Sequence, residues 1–152
     1  DHLHSLGIDN LRIQVGSEGP DTEPWRIVPS MQPSPGRYND EILDGLDYLL
    51  YEMKKRQMYA VMCLNNFWHW SGGFAQYVIW AHRANEIPYP GDYHVFELFA
   101  AQFYKLPRAT ELFDNHIRFI VSRKNRYSNL SYTQDPTIVS SEGYVREGPT
   151  VN

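Results

Sequence analysis

Leu11, Ile13 and Val15 alternate with Arg12 and Gln14, the two-residue period of a strand with one covered face. Before this strand, Leu6-Gly7-Ile8 reads as a helix end stopped by glycine, and after it residues 16–36 are crowded with Gly, Pro and Ser and predict a long loop. The period then lengthens to that of a helix. Ile42, Leu43, Leu46, Leu49, Leu50 and Met53 form one stripe, Asn39 stands at the capping position, Asp40 and Glu41 complement the positive end of the dipole, and Lys54, Lys55 and Arg56 the negative end. Tyr59 to Leu64 is a short apolar run between polar residues, the pattern of a strand buried on both faces of a parallel sheet.

After Asn65-Asn66 come a tryptophan-rich loop and two short helical stretches, about Phe74 to Ala84 and Tyr93 to Tyr104. A second strong helix begins near Ala109, with Leu112, Phe113, His116, Ile117, Ile120 and Val121 on one face. Asp135-Pro136 then turns the chain into a third strand candidate, Thr137-Ile138-Val139. Strand, helix, strand, helix, strand predicts an α/β fold of parallel strands, neighbours in sequence order and joined by right-handed crossovers, with a site on the carboxyl edge of the sheet. Periodicity leaves both a closed barrel and an open doubly wound sheet standing. No G-x-G-x-x-G follows a strand and no Walker motif occurs, so phosphate-cofactor chemistry has no support and no cofactor is expected.

The 152 residues fit one domain, and 42% hydrophobic with 21% charged residues exclude a disordered or fibrous chain. A formal charge of -4, with basic runs only at Lys54-Lys55-Arg56 and Arg123-Lys124, argues against a nucleic-acid partner. No apolar stretch is long enough for a membrane span, and the opening Asp1-His2-Leu3-His4 reads as a cut, with no leader-type run. Cys63 reads as a small buried hydrophobe. His2 and His4 fall on different helix faces and His82, His94 and His116 on separate helical stretches, so no metal site is expected.

Aromatic residues change the picture. They make up 14% of the chain, and many sit among turn residues instead of on helical faces. Trp68 and Trp70 flank His69 in a loop ending Ser71-Gly72-Gly73, next to Asn65 and Asn66, while Trp25 occupies the preceding loop. Flat rings suit the axial C–H patches of pyranose sugars and amides bond their hydroxyls. Trp25, Asn65, Asn66, Trp68, His69 and Trp70 are therefore the substrate-binding candidates, against the plain alternative that the rings pack the loops. Tyr89 reads as structural. Asn129-Leu130-Ser131 is a glycosylation sequon.

Four separated segments, Trp25 to Asn39, Leu64 to Gly73, Ile87 to Gly91 and Asp135 to Ile138, closely resemble the β-mannanases of glycoside hydrolase family 5, in the same order and spacing. The resemblance implies a partial (β/α)8 TIM barrel with long aromatic loops at the carboxyl ends of its strands, about strands two to four, and retaining endo-hydrolysis of β-1,4-mannan. A complete barrel of this kind runs to roughly 250 residues. Retention needs two carboxylates. The family's acid/base Glu ends strand four, where Glu147 comes nearest, with Glu142 at an earlier, non-catalytic position; its nucleophile lies on a later strand, outside this sequence. Arg12 matches the Arg that the family sets beside that nucleophile. Residues 139–152 depart from the family pattern and read as a divergent tail.

The resulting expectation is an endo-β-1,4-mannanase, secreted, periplasmic or at the cell surface, whose partner is β-mannan or a manno-oligosaccharide. The 152 residues alone are expected to be inactive and to pair with the missing half of the barrel. A non-catalytic carbohydrate-binding or scaffold role, and a β-glucan-active hydrolase of the same family, are the competing readings.

Overall fold

The structure, a computed structural model, describes residues 1–82, 86–89 and 91–142. Three parallel strands, β1 (Asn10–Gln14), β2 (Tyr59–Cys63) and β3 (Ile138–Glu142), lie side by side in sequence order. Leu11 stands opposite Ala60 and Arg12 opposite Val61, and an irregularity shifts β3 by one residue between the partners of Ala60 and Val61. Five α-helices accompany the strands: α1 (His2–Ser5), α2 (Asp40–Lys55), α3 (Gly73–His82), α4 (Tyr93–Ala101) and α5 (Pro107–Ser122).

Each boundary has a local cause. Asn39 caps α2, its Oδ1 accepting from the Glu41 and Ile42 amides at 3.0 and 3.4 Å, and such a cap contributes about 1 kcal/mol. α5 starts at Pro107, before the apolar stripe that predicts it, because proline fits the first helical turn, where its missing N–H leaves no bond unmade. α4 stops at Ala101 and the chain tightens into a 3-10 turn over Gln102–Lys105.

The first core lies between one sheet face and helices α2 and α5. Leu43, Leu46, Leu50 and Met53 pack against Ala60, Met62 and Ile120, with Leu11, Ile13 and Ile138 at the margin. Strand alternation therefore turns Arg12 and Val61 to the opposite face. Along that face Arg12 and Tyr59 are exposed, while Cys63 at its carboxyl end is buried. The sequence pattern predicts Tyr59 to Leu64 buried on both sides; Ala60, Met62, Cys63 and Leu64 are buried, and the structure departs from this at Tyr59, which is exposed, and Val61, which is half-buried. β3 also runs further than Thr137-Ile138-Val139, entering the segment that reads as a divergent tail; Gly143 onward lies outside the described residues.

A second core fills the long connection between β2 and α5. Phe74, Tyr77 and Val78 of α3 meet Phe96 and Ala100 of α4, Phe103 of the 3-10 turn and Leu112 of α5. Phe74 and Phe103 stack at 4.2 Å. The helices are tied by Asp47, a fully buried carboxylate on α2. It accepts two bonds from Arg123 at 3.0 and 2.6 Å and one from the Tyr132 hydroxyl at 2.5 Å, so the charge is buried with its partners around it.

Candidate functional site

At the carboxyl ends of β1 and β2 the chain turns outward, the Val15 amide still bonded to the Cys63 carbonyl at 2.8 Å. The next residues of the first loop carry Glu18 into the protein, where its side chain is almost wholly enclosed. Three donors converge on this carboxylate: Asn65 Nδ2 at 2.9 Å, the Gly73 amide at 3.1 Å and the Tyr77 hydroxyl at 3.3 Å. Desolvation outweighs these bonds and pushes Glu18 up to about 7. Tyr77 Oη also lies 3.4 Å from Gln32 Oε1.

Backbone bonds lace the two loops together around Glu18. The Glu18 amide donates to the Ser71 carbonyl and the Ile27 amide to the Trp70 carbonyl, both at 2.8 Å. Gly72 has φ 88°, and a Cβ there would run into the Glu18 carbonyl, so this close approach admits only glycine. Arg26 Nη1 bonds the same carbonyl, and Arg26 Nη2 meets the Tyr89 hydroxyl at 3.0 Å, which in turn donates to Glu23 Oε2 at 2.5 Å.

Between Glu23 and Arg26 stands Trp25, 73% exposed and at φ 62°. A left-handed backbone at a bulky residue costs energy and persists only where its flanks are fixed, as they are here. Trp70 is 40% exposed. With Trp68, His69 and Tyr93 it lines a shallow cavity of about 430 Å³. Trp68 is more engaged, lying parallel to Phe96 and edge-on to Phe67 and Tyr93. His69 is held below its ordinary pKa by burial and by the nearby Arg26 charge, and its Nδ1 is buried without a hydrogen-bond partner among the described residues.

The structure thus brings Trp68, His69 and Trp70 together and places Trp25 on the adjoining loop. The two asparagines serve the loops themselves. Asn65 is fully buried and donates to Glu18, and Asn66 Oδ1 accepts from the Trp68 amide at 2.9 Å, closing a local turn. Arg12 is exposed on the sheet face opposite the first core, and Glu147 lies outside the described residues. Beneath the site His116 is buried, its Nε2 3.1 Å from the Leu64 carbonyl and its Nδ1 3.2 Å from the Tyr38 hydroxyl. The carbonyl can only accept, so Nε2 carries the proton and Tyr38 donates to Nδ1. Burial lowers this imidazole to about 4. Among the described residues no cluster of His, Cys, Asp or Glu could hold a metal ion, and no helix is long and apolar enough to cross a membrane.

Sequence reasoning passed over Glu18 and Arg26, while Tyr89, which reads as structural, braces Arg26 and Glu23. The available signal was the glycine on each side of Ser17-Glu18, a flexible turn with one acid at its centre.

Parallel strands with helices on one face and loops carrying the candidate site at their carboxyl ends fit part of a (β/α) barrel, and the comparisons make it a glycoside hydrolase. The chain belongs to glycoside hydrolase family 5: the description "GH family 5 beta-mannosidase-like" matches residues 1–145. It is 34% identical over 136 residues to mannan endo-1,4-beta-mannosidase 1 of Solanum lycopersicum, covering 90% of this chain and 30% of that protein. A solved family 5 mannosidase from Rhizomucor miehei is 48% identical with TM-score 0.88, over 91% of this chain and 35% of that one. A variant of the Rhizomucor enzyme in complex with mannosyl-fructose aligns with TM-score 0.91 and 46% identity, over 97% of this chain and 38% of that one. The chain spans about a third of the length of these relatives.

Proposed function

We propose that the protein carrying this chain is an endo-β-1,4-mannanase that hydrolyses mannan backbones with retention. The observation that carries this reading is the family membership joined to paired aromatic loops at the carboxyl edge of the sheet. Trp25 and Trp70 offer exposed ring faces to sugars, and Trp68 and His69 line the cavity beside Trp70. Asn65 and Asn66 contribute to binding through the loops they hold in shape. The reaction proceeds by attack of one carboxylate on the anomeric carbon and protonation of the leaving oxygen by a second, roughly 5 Å away. Glu147 is the acid/base candidate, and Arg12 faces the barrel interior, where its charge favours the ionised nucleophile. The sheet is completed by further strands of the same barrel, and the enzyme meets its polymer outside the cytoplasm, secreted, periplasmic or on the cell surface.

Reducing-sugar release from linear β-1,4-mannan by the full-length protein, with β-1,4-glucan in parallel, tests this. Turnover of mannan alone is expected. Preference for glucan would overturn the substrate, and binding without turnover would favour a carbohydrate-binding or scaffold role. The higher identity to solved proteins called mannosidases favours a second reading, attack on short mannosides or chain ends. A ladder of oligosaccharides as first products supports the endo reading, and mannose alone supports the second.

A further inference from the structure

We propose that Glu18 is a positioning residue for carbohydrate binding, a buried carboxylate at the seam of two aromatic loops that sets where Trp25 and Trp70 stand relative to one another. This rests on the carbohydrate-binding reading of those loops. The geometry carries it. Glu18 receives Asn65 Nδ2, the Gly73 amide and the Tyr77 hydroxyl, so its side chain joins the end of β2, the aromatic loop and α3. Its backbone extends the join: the amide donates to Ser71, next to Trp70, and the carbonyl accepts from Arg26, next to Trp25. Every side-chain partner is a donor, so the arrangement suits an ionised carboxylate that accepts without giving. A proton on Glu18 turns one of its oxygens into a donor and forces the cluster to rearrange: the Tyr77 hydroxyl can take that proton's bond only by turning its own toward Gln32 Oε1, 3.4 Å away.

The charged and titratable groups that face Glu18 are Arg26 from its own loop, Tyr77 from α3 and Tyr38 from the segment before α2. Arg26 stays charged, and Tyr77 and Tyr38 are both held well above the ordinary tyrosine range by burial. Between pH 5 and 9 only Glu18 among these changes charge, and its position near 7 sets that change inside the window. His69 in the aromatic loop lies below its ordinary 6.5, so its titration falls lower.

The experiment measures KM and kcat of the full-length protein and of Glu18→Gln on linear β-1,4-mannopentaose from pH 5 to 9, together with substrate-free tryptophan emission over the same range. At pH 8 the variant is expected to show KM raised about tenfold with kcat within about threefold. The ratio of the two KM values should fall toward one below pH 6, where the wild-type carboxyl is also protonated; titration of the catalytic pair enters both proteins and cancels. Emission should titrate near pH 7 in the wild type and stay flat there in the variant. A pH-independent KM ratio, or an emission change that survives Glu18→Gln, overturns the proposal. Should Glu18→Gln fail to fold, Glu18→Asp carries the test: raised KM with a displaced emission midpoint supports the role, and wild-type values of both overturn it. If the protein turns over no β-mannoside, the functional reading fails, while the emission titration still decides for Glu18.

Discussion

Trp25 and Trp70 combine exposure with a fixed backbone, an arrangement that ordinary loop packing does not need. Trp25 is mostly exposed and Trp70 partly so, and Trp25→Ala or Trp70→Ala in the full-length protein should raise KM about tenfold and leave kcat nearly unchanged. The melting temperature of Trp25→Ala should hold within about two degrees. A drop in stability with KM unchanged would return these rings to packing. Arg12 differs in kind under the proposed mechanism, in which its charge acts on a nucleophile: Arg12→Ala should lower kcat at least about a hundredfold with little change in KM, as initial rates on mannopentaose would show. The aromatic residues were legible in the sequence because rings among Gly, Pro and Ser cannot belong to a helical stripe. Glu18 was not, because its burial is made by Asn65, Gly73 and Tyr77, 47 to 59 residues further along the chain.

Helix α2 shows how far a periodic pattern carries at the next scale. Its apolar stripe, cap and terminal charges specify the element and the face it buries. The same pattern holds an intrusion: Asp47 lies on the covered face with Leu43, Leu46 and Leu50. An acid there implies a partner, but the partners Arg123 and Tyr132 come from the segment after α5, 76 and 85 residues away, and no local period announces them. Asp47→Ala should destabilise the protein by about 3–5 kcal/mol, since it strands the half-buried Arg123 charge and the Tyr132 hydroxyl. Urea melts of the variant and of Tyr132→Phe check this, with the tyrosine variant expected to lose about 1–2 kcal/mol. Equal and small losses would mean that the apolar contacts between α2 and α5 hold the helices without the ion pair. The short helices were harder to bound for a related reason, as α3 is buried over most of its circumference and α4 leaves apolar Tyr93, Val95 and Leu98 exposed, so neither has a polar face to mark its ends.

Two properties belong to the molecule as a whole. Residues 1–152 expressed alone leave Val139 58% exposed on β3, and β1 and β3 each pair on one side only among the described residues. Open strand edges recruit other chains, so the polypeptide should elute above monomer size on gel filtration, and a monodisperse monomer would contradict this. The pH dependence of stability couples two buried groups of opposite sign. Glu18 rises from 4.5 to about 7, so the folded state binds its proton more tightly than the unfolded chain, and the associated stability is full below pH 4.5 and lost as pH climbs to 7. His116 falls from 6.5 to about 4, so its contribution is full above pH 6.5 and lost as pH drops toward 4. Each shift is worth about 3 kcal/mol, and between pH 4.5 and 6.5 the two nearly cancel. Urea-derived stability of the wild type should therefore be almost flat across that interval. Glu18→Gln should expose the rising limb left by His116, and His116→Gln, which keeps a donor for the Leu64 carbonyl, should expose the falling limb left by Glu18. Parallel profiles in all three proteins would show that neither group titrates inside the fold, whereas opposite slopes in the two variants would place an ionisable carboxyl beneath the aromatic loops and a neutral imidazole between Tyr38 and the Leu64 carbonyl.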